Sequence, residues 1–165
     1  MKAHAHLIFG MAVLFLAAQG INRPNTLPVP APRIQQSSKI PAPVQAVVNR
    51  SCKDCHSAET AWPWYSRIAP VSWLVERDVR EGRKRLDFSK WVAADSKSPA
   101  LGEVEELCAA ASTGDMPPAP YRLMHPNSKL TREDVAVFCK WADELSTSPS
   151  TASSTSESTS HKHAK

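Results

Sequence analysis

The sequence predicts a small all-α domain. Three observations carry that prediction. Apolar residues recur at helical spacing in several separate stretches, no segment alternates convincingly with period two, and the central residues, about 44–145, are bounded by arms of different composition. Residues 21–43 hold six prolines, at 24, 28, 30, 32, 41 and 43, with Ser and Gln among them, and read as an extended linker. Residues 146–165 are rich in Ser and Thr and end His161-Lys162-His163-Ala164-Lys165, a disordered tail whose histidines are read as solvated rather than metal-binding. About a hundred residues remain, enough for one small domain.

Taken in order, the elements begin with an export signal. Lys2 precedes an apolar run from Leu7 to Ala18, interrupted by Gly10 and closed by Ala18-Gln19-Gly20, so residues 1–20 read as a secretory signal peptide. The run is short for a membrane span, which needs about 20 residues. An uncleaved anchor is the alternative, because Gln19-Gly20 is a mediocre cleavage site and Ile21 prolongs the apolar stretch. Val44 to about Asn49 forms a short helix. Ala61 to Tyr65 is not one, since Pro63 disfavours α geometry before it. A longer helix runs from Val71 to about Arg85 with Pro70 at its entry. Val71, Leu74, Val75 and Val79 give it an apolar stripe, and Glu76–Arg80 and Glu81–Arg85 are spaced for ion pairs. A third helix spans about Leu101 to Ala111, with Leu101, Val104, Leu107, Cys108 and Ala111 on one side. The last starts at Thr131 as N-cap and buries Val135, Phe138, Cys139, Ala142 and Leu145. The five tryptophans, 62, 64, 73, 91 and 141, are expected to build core.

Chemistry concentrates in Cys52-Lys53-Asp54-Cys55-His56. C-x-x-C-H is the attachment pattern of covalent c-type haem. Two thiols three positions apart lie on one helical turn and form thioethers to one edge of the porphyrin. His56 is then held under the iron as an axial ligand. A zinc site would need two more ligands, and a thioredoxin-like pair would sit beside a βαβ pattern; neither is present in the sequence. Covalent haem is normally attached after export, so motif and signal agree. The remaining Cys108 and Cys139 form a disulfide candidate in an oxidising compartment, with two separately buried thiols as the alternative. The bridge would close a loop that contains Met116.

A second axial ligand is expected from Gly114-Asp115-Met116-Pro117-Pro118. Gly114 can end the third helix in left-handed geometry, and the prolines stiffen the chain directly after Met116. A thioether favours ferrous iron and raises the potential. Met124 and His125 are the rivals; His125 would give a bis-histidine haem. Met116 as an ordinary core methionine is the remaining alternative. Charge adds one exclusion. The chain carries net +4, yet residues 44–145 hold 14 Lys and Arg against 15 Asp and Glu. A near-neutral domain lacks the basic face that nucleic acid requires.

Together with Cys52–His56, the string Thr60-Ala61-Trp62-Pro63-Trp64-Tyr65-Ser66 and Ile68-Ala69-Pro70-Val71-Ser72-Trp73-Leu74 resembles the small bacterial haem-binding domain, a cytochrome c-like monohaem module. So do Gly82-Arg83, Leu86 to Trp91, Gly114-Asp115-Met116-Pro117, Tyr121, His125-Pro126 and Cys139-Lys140-Trp141. The resemblance covers nearly all of residues 44–145 and neither arm. It implies an all-α fold wrapped on haem c, a periplasmic or membrane-facing location, and Met116 as distal ligand. One departure is Asp78, where family members often carry histidine. The expected function is periplasmic electron transfer to a redox partner protein, with membrane contact only if residues 1–20 are retained. The alternatives are a haem peroxidase or a gas or redox sensor with an open sixth position, with Asp115 or His125 as distal group, and an accessory haem module of a larger complex. An electron carrier is favoured over an enzyme, because the prolines deliver Met116 rigidly.

Overall fold

In the computed structural model, which describes residues 2–21, 33–34, 37–93 and 99–148, two helix ends fall where the sequence supplies caps. The Thr131 hydroxyl accepts the Asp134 N–H at 3.2 Å and the Asp134 carboxylate accepts the Thr131 N–H at 2.8 Å, a reciprocal pair that opens the last helix. Gly114, at φ 75°, closes the helix before it. The described residues form eight α-helices and no strand: α1 Lys2–Ala18, α2 Ala42–Ser51, α3 Lys53–His56, α4 Val71–Arg85, α5 Phe88–Val92, α6 Leu101–Thr113, α7 Ala119–Met124 and α8 Arg132–Thr147. Single 3-10 turns occupy Trp64–Arg67 and Pro126–Ser128. The class is all-α, as the periodicity indicates. The short helices α5 and α7 are additions, since five or six residues display no period.

The chain divides into two compact units. The first comprises Met1–Ser37 and Cys52–Ser96. In it α4 packs on α3 and on the Trp64–Arg67 turn, and α5 packs on α3. Ile34, Ala69, Val79, Phe88 and Trp91 are buried, the last two edge to face with centroids 4.9 Å apart. The stripe expected on α4 is rotated. Val71 and Leu74 are exposed, whereas Ser72, Val79 and Gly82 are buried. The cause is Gly82, which lies against the α3 backbone and turns inward the residues that share its face. The expected Glu76–Arg80 and Glu81–Arg85 pairs are replaced by Arg77–Asp78, Arg80–Glu81 and Lys84–Glu81.

The second unit comprises Ser38–Ser51 and Lys97–Lys165. Its main pair is α6 on α8, with α2 against α8 and α7 against the Pro126–Ser128 turn. Val44, Val47, Val48, Val104, Leu107, Ala111, Phe138, Trp141 and Ala142 are buried. The expected bridge joins Cys108 of α6 to Cys139 of α8, with Cα atoms 4.8 Å apart. On α8, Asp134 and Trp141 take interior positions, and Val135, Cys139 and Leu145 are half-buried rather than buried. Asp134 also pairs with Arg50 of α2. Burial pushes the Asp134 carboxyl upward. The Thr131 N–H and hydroxyl together with Arg50 outweigh that and hold it below its usual value.

Both arms depart from expectation where they are described. Ile34 and Ile40, in the stretch read as an unpacked linker, are buried. The Ile34 N–H donates to Glu59 Oε1 at 2.8 Å. Residues 22–32 lie outside the described residues, as do 149–165 of the expected tail; residues 146 and 147 continue α8. Of the tryptophans, 91 and 141 are buried, 62 and 73 half-buried, and Trp64 is 72% exposed.

Candidate haem-binding site

Sequence adjacency builds the Cys52–His56 turn. Cys52 precedes α3 as its N-cap, and its carbonyl accepts the N–H groups of Cys55 at 3.3 Å and His56 at 3.1 Å. That single turn brings Cys52, Cys55 and His56 together in the first unit. Its seating depends on Gly82. A Cβ on residue 82 would lie 2.7 Å from the Cys55 carbonyl oxygen and 3.3 Å from the Cys55 Cβ, so only glycine lets α4 approach this closely. His56 Nδ1 stands 3.0 Å from the Leu86 carbonyl. A carbonyl only accepts, so Nδ1 carries the proton and Nε2 keeps its lone pair. Phe88 lies tilted beside the imidazole, centroids 6.0 Å apart.

A shell of polar contacts fixes the turn from outside. Thr60 Oγ1 donates to the Asp54 carbonyl at 2.7 Å, and the Asp54 carboxylate accepts the Ala61 N–H at 3.0 Å. Buried Ser57 donates to the Lys53 carbonyl at 2.8 Å. Arg83 reaches over from α4 and donates to the Ser57 carbonyl at 2.9 Å and to Thr60 Oγ1 at 2.8 Å. From the start of α5, Ser89 Oγ accepts the Ala58 N–H at 2.7 Å.

The methionine loop belongs to the second unit and is also tied down. Met116 follows the left-handed Gly114, is half-buried, and precedes buried Pro117 through a cis peptide. Arg122 of α7 donates to the carbonyls of both Gly114 and Pro117, bracketing Met116. Asp115 accepts from the Thr113 hydroxyl at 2.7 Å. Of the rivals, Met124 ends α7 and is exposed. His125 is half-buried, stacked on Tyr121 at 4.2 Å, with Nδ1 3.2 Å from the Tyr121 carbonyl.

A family model described as the haem-binding domain matches residues 10–144, most of the chain. The chain belongs to the haem-binding domain family. Comparison with curated proteins and with solved structures found no match. The haem-binding domain match begins inside α1 and takes in the proline-rich stretch, wider than the 44–145 core that composition marks out.

The residues present fit the cofactor of a haem-binding domain. Cys52 and Cys55 take no part in the disulfide and are half-buried. Burial, then the charges of Asp54 and Asp78 and against the pull of Arg83, pushes the Cys55 thiol up to about 11, so it stays protonated. Burial also lowers the His56 imidazole below its ordinary 6.5, although the Leu86 and Gly82 backbone and Asp87 act in the opposite sense. Neutral imidazole is the form that ligates a metal. Asn49 Oδ1 and Ser51 Oγ, just ahead of the motif, are buried without hydrogen-bond partners. No spacing in the sequence marks Gly82, Arg83, Leu86 or Arg122 as supports of the site. Arg83 Nε and Nη2 are taken up by the motif turn.

Proposed function

We propose that this haem-binding protein is an exported c-type monohaem electron carrier with a cytochrome c-like domain. Cys52 and Cys55 would hold haem through thioethers, and His56 and Met116 would ligate its iron. The bound iron would carry one electron at a time by alternating between two oxidation states. The observation that carries the reading is the His56 Nδ1–Leu86 carbonyl bond at 3.0 Å, on a turn seated against Gly82. A ligating histidine needs its other nitrogen fixed, because that bond sets both tautomer and ring orientation. Arg122 supports the second ligand by holding the backbone on both sides of Met116. A ligand pinned at both flanks keeps the sixth position filled, which suits a carrier better than a peroxidase or a gas sensor. Its partner would be a redox protein that meets the exposed edge of the cofactor.

The experiment is the absorption spectrum of the exported protein, oxidised and reduced, with and without Met116→Ala. The wild type should be low-spin with a methionine-to-iron charge-transfer band. The variant should lose that band and gain carbon monoxide binding. A wild type that is already high-spin and binds carbon monoxide freely would move catalysis or sensing ahead of electron transfer.

A further inference from the structure

One side of α4 is apolar and exposed. Val71 is 40% and Leu74 51% exposed, and the preceding turn adds Trp64 at 72% and Ile68 at 38%. In the same unit, Leu7, Ile8, Phe9, Leu14, Phe15 and Leu16 of α1 are exposed on all sides. A helix that is apolar all round requires apolar surroundings. The two features are joined by hydrogen bonds. Gln19, just beyond α1, grips buried Ala69: its Oε1 accepts the Ala69 N–H at 3.0 Å and its Nε2 donates to the Ala69 carbonyl at 3.4 Å. The Trp73 indole donates to the Ile21 carbonyl at 3.1 Å. The end of α1 is thereby fixed beside Ile68 and Val71.

The composition of the patch suits a lipid surface. Trp64 and Tyr65 lie edge to face with centroids 5.8 Å apart, and aromatics with polar tips collect at membrane–water interfaces. Exposed Arg67 can meet anionic headgroups. The Arg77–Asp78 pair, at 3.0 Å, marks the wet end of the patch one turn past Leu74. No helix among the described residues is long and apolar enough to cross a membrane; α1 has 17 residues, about 26 Å. Insertion without crossing is sufficient here. A second copy of the chain could cover the α4 face but would leave α1 in water. A bilayer covers both.

We propose that α1 is retained in the working protein and buried in a phospholipid bilayer, with the Trp64, Ile68, Val71 and Leu74 face lying on the lipid, oriented by the Gln19 clamp. Cleavage after Gly20 would remove Gln19 and strip the buried Ala69 N–H and carbonyl of these partners. The inference is independent of the axial ligands and stands or falls separately.

The test uses full-length haem-loaded protein in its native membrane, with a diazirine amino acid in place of Leu74 and, as control, of Arg80. Both positions are exposed, on different sides of α4. Intact mass should show that residues through Gly20 are present. Phospholipid adducts after illumination should be several-fold more abundant at position 74 than at 80, and Gln19→Ala should reduce that ratio while the protein stays in the membrane fraction. Equal adduct yields at the two positions would overturn the proposal. So would a soluble mature protein lacking residues 1–20, or a ratio untouched by Gln19→Ala.

Discussion

At the scale of single residues, the site depends on an absent side chain. A methyl group on residue 82 would stand 2.7 Å from the Cys55 carbonyl oxygen, and backbone cannot rotate out of the way as a side chain can. Either α4 or the Cys52–His56 turn must shift, and overpacking of this kind costs roughly 1–3 kcal/mol. The turn also presents both thiols and the imidazole, so the shift should be felt by the cofactor. On the proposed c-type reading, Gly82→Ala is therefore expected to lower the ratio of covalent haem to protein after export. Serine, slightly larger, should lower it further, and an Ala variant with wild-type haem content would show that the contact is not limiting. Cys52, Cys55 and His56 stand out in the sequence because C-x-x-C-H is contiguous. Their supports do not. A lone glycine inside a helix has no spacing signal, and the Leu86 contribution to His56 is a backbone carbonyl that any residue type would supply.

At the scale of elements, caps and periods located the long helices, while the faces they present were set by contacts the pattern does not contain. Thr131 and Gly114 were legible as helix ends because capping is local chemistry. The inward side of α4 was not, because counting Val71, Leu74, Val75 and Val79 as core treats all apolar residues alike, whereas the close approach at Gly82 brings Ser72 inside and leaves Val71 and Leu74 out. The α6–α8 pair tests the remaining element-level reading. Its disulfide spans a sequence separation of 31 residues, for which the chain-entropy model gives about 3–4 kcal/mol. The helices also share buried Val104, Leu107, Phe138 and Ala142, so the fold should survive loss of the bridge. The double variant Cys108→Ala, Cys139→Ala is expected to remain helical by circular dichroism and to unfold at a clearly lower denaturant concentration. An unchanged midpoint would mean that the unfolded chain gains nothing from losing the cross-link.

For the whole chain, the open matter is where the folding unit begins. Composition draws the line near residue 44, since six prolines in the stretch before it argue against regular structure. Irregular backbone can still bury side chains. Ile34 is fully buried with its N–H on Glu59, Ile40 is 2% exposed, and Gln45 Nε2 donates to the Ile40 carbonyl at 2.7 Å. The family match, which starts at residue 10, likewise takes in this stretch. Isolated isoleucines between prolines carry no periodicity, which is why neither announced itself. Burying an isoleucine side chain contributes roughly 1.5–3 kcal/mol, so the two together are worth about 3–6 kcal/mol, a large share of the stability of a small domain. A chain beginning at residue 33 should therefore unfold at a markedly higher urea concentration than one beginning at residue 44, both carrying haem and both ending at residue 148. Equal midpoints would return the boundary to residue 44 and reduce the packing of Ile34 and Ile40 to incidental contact.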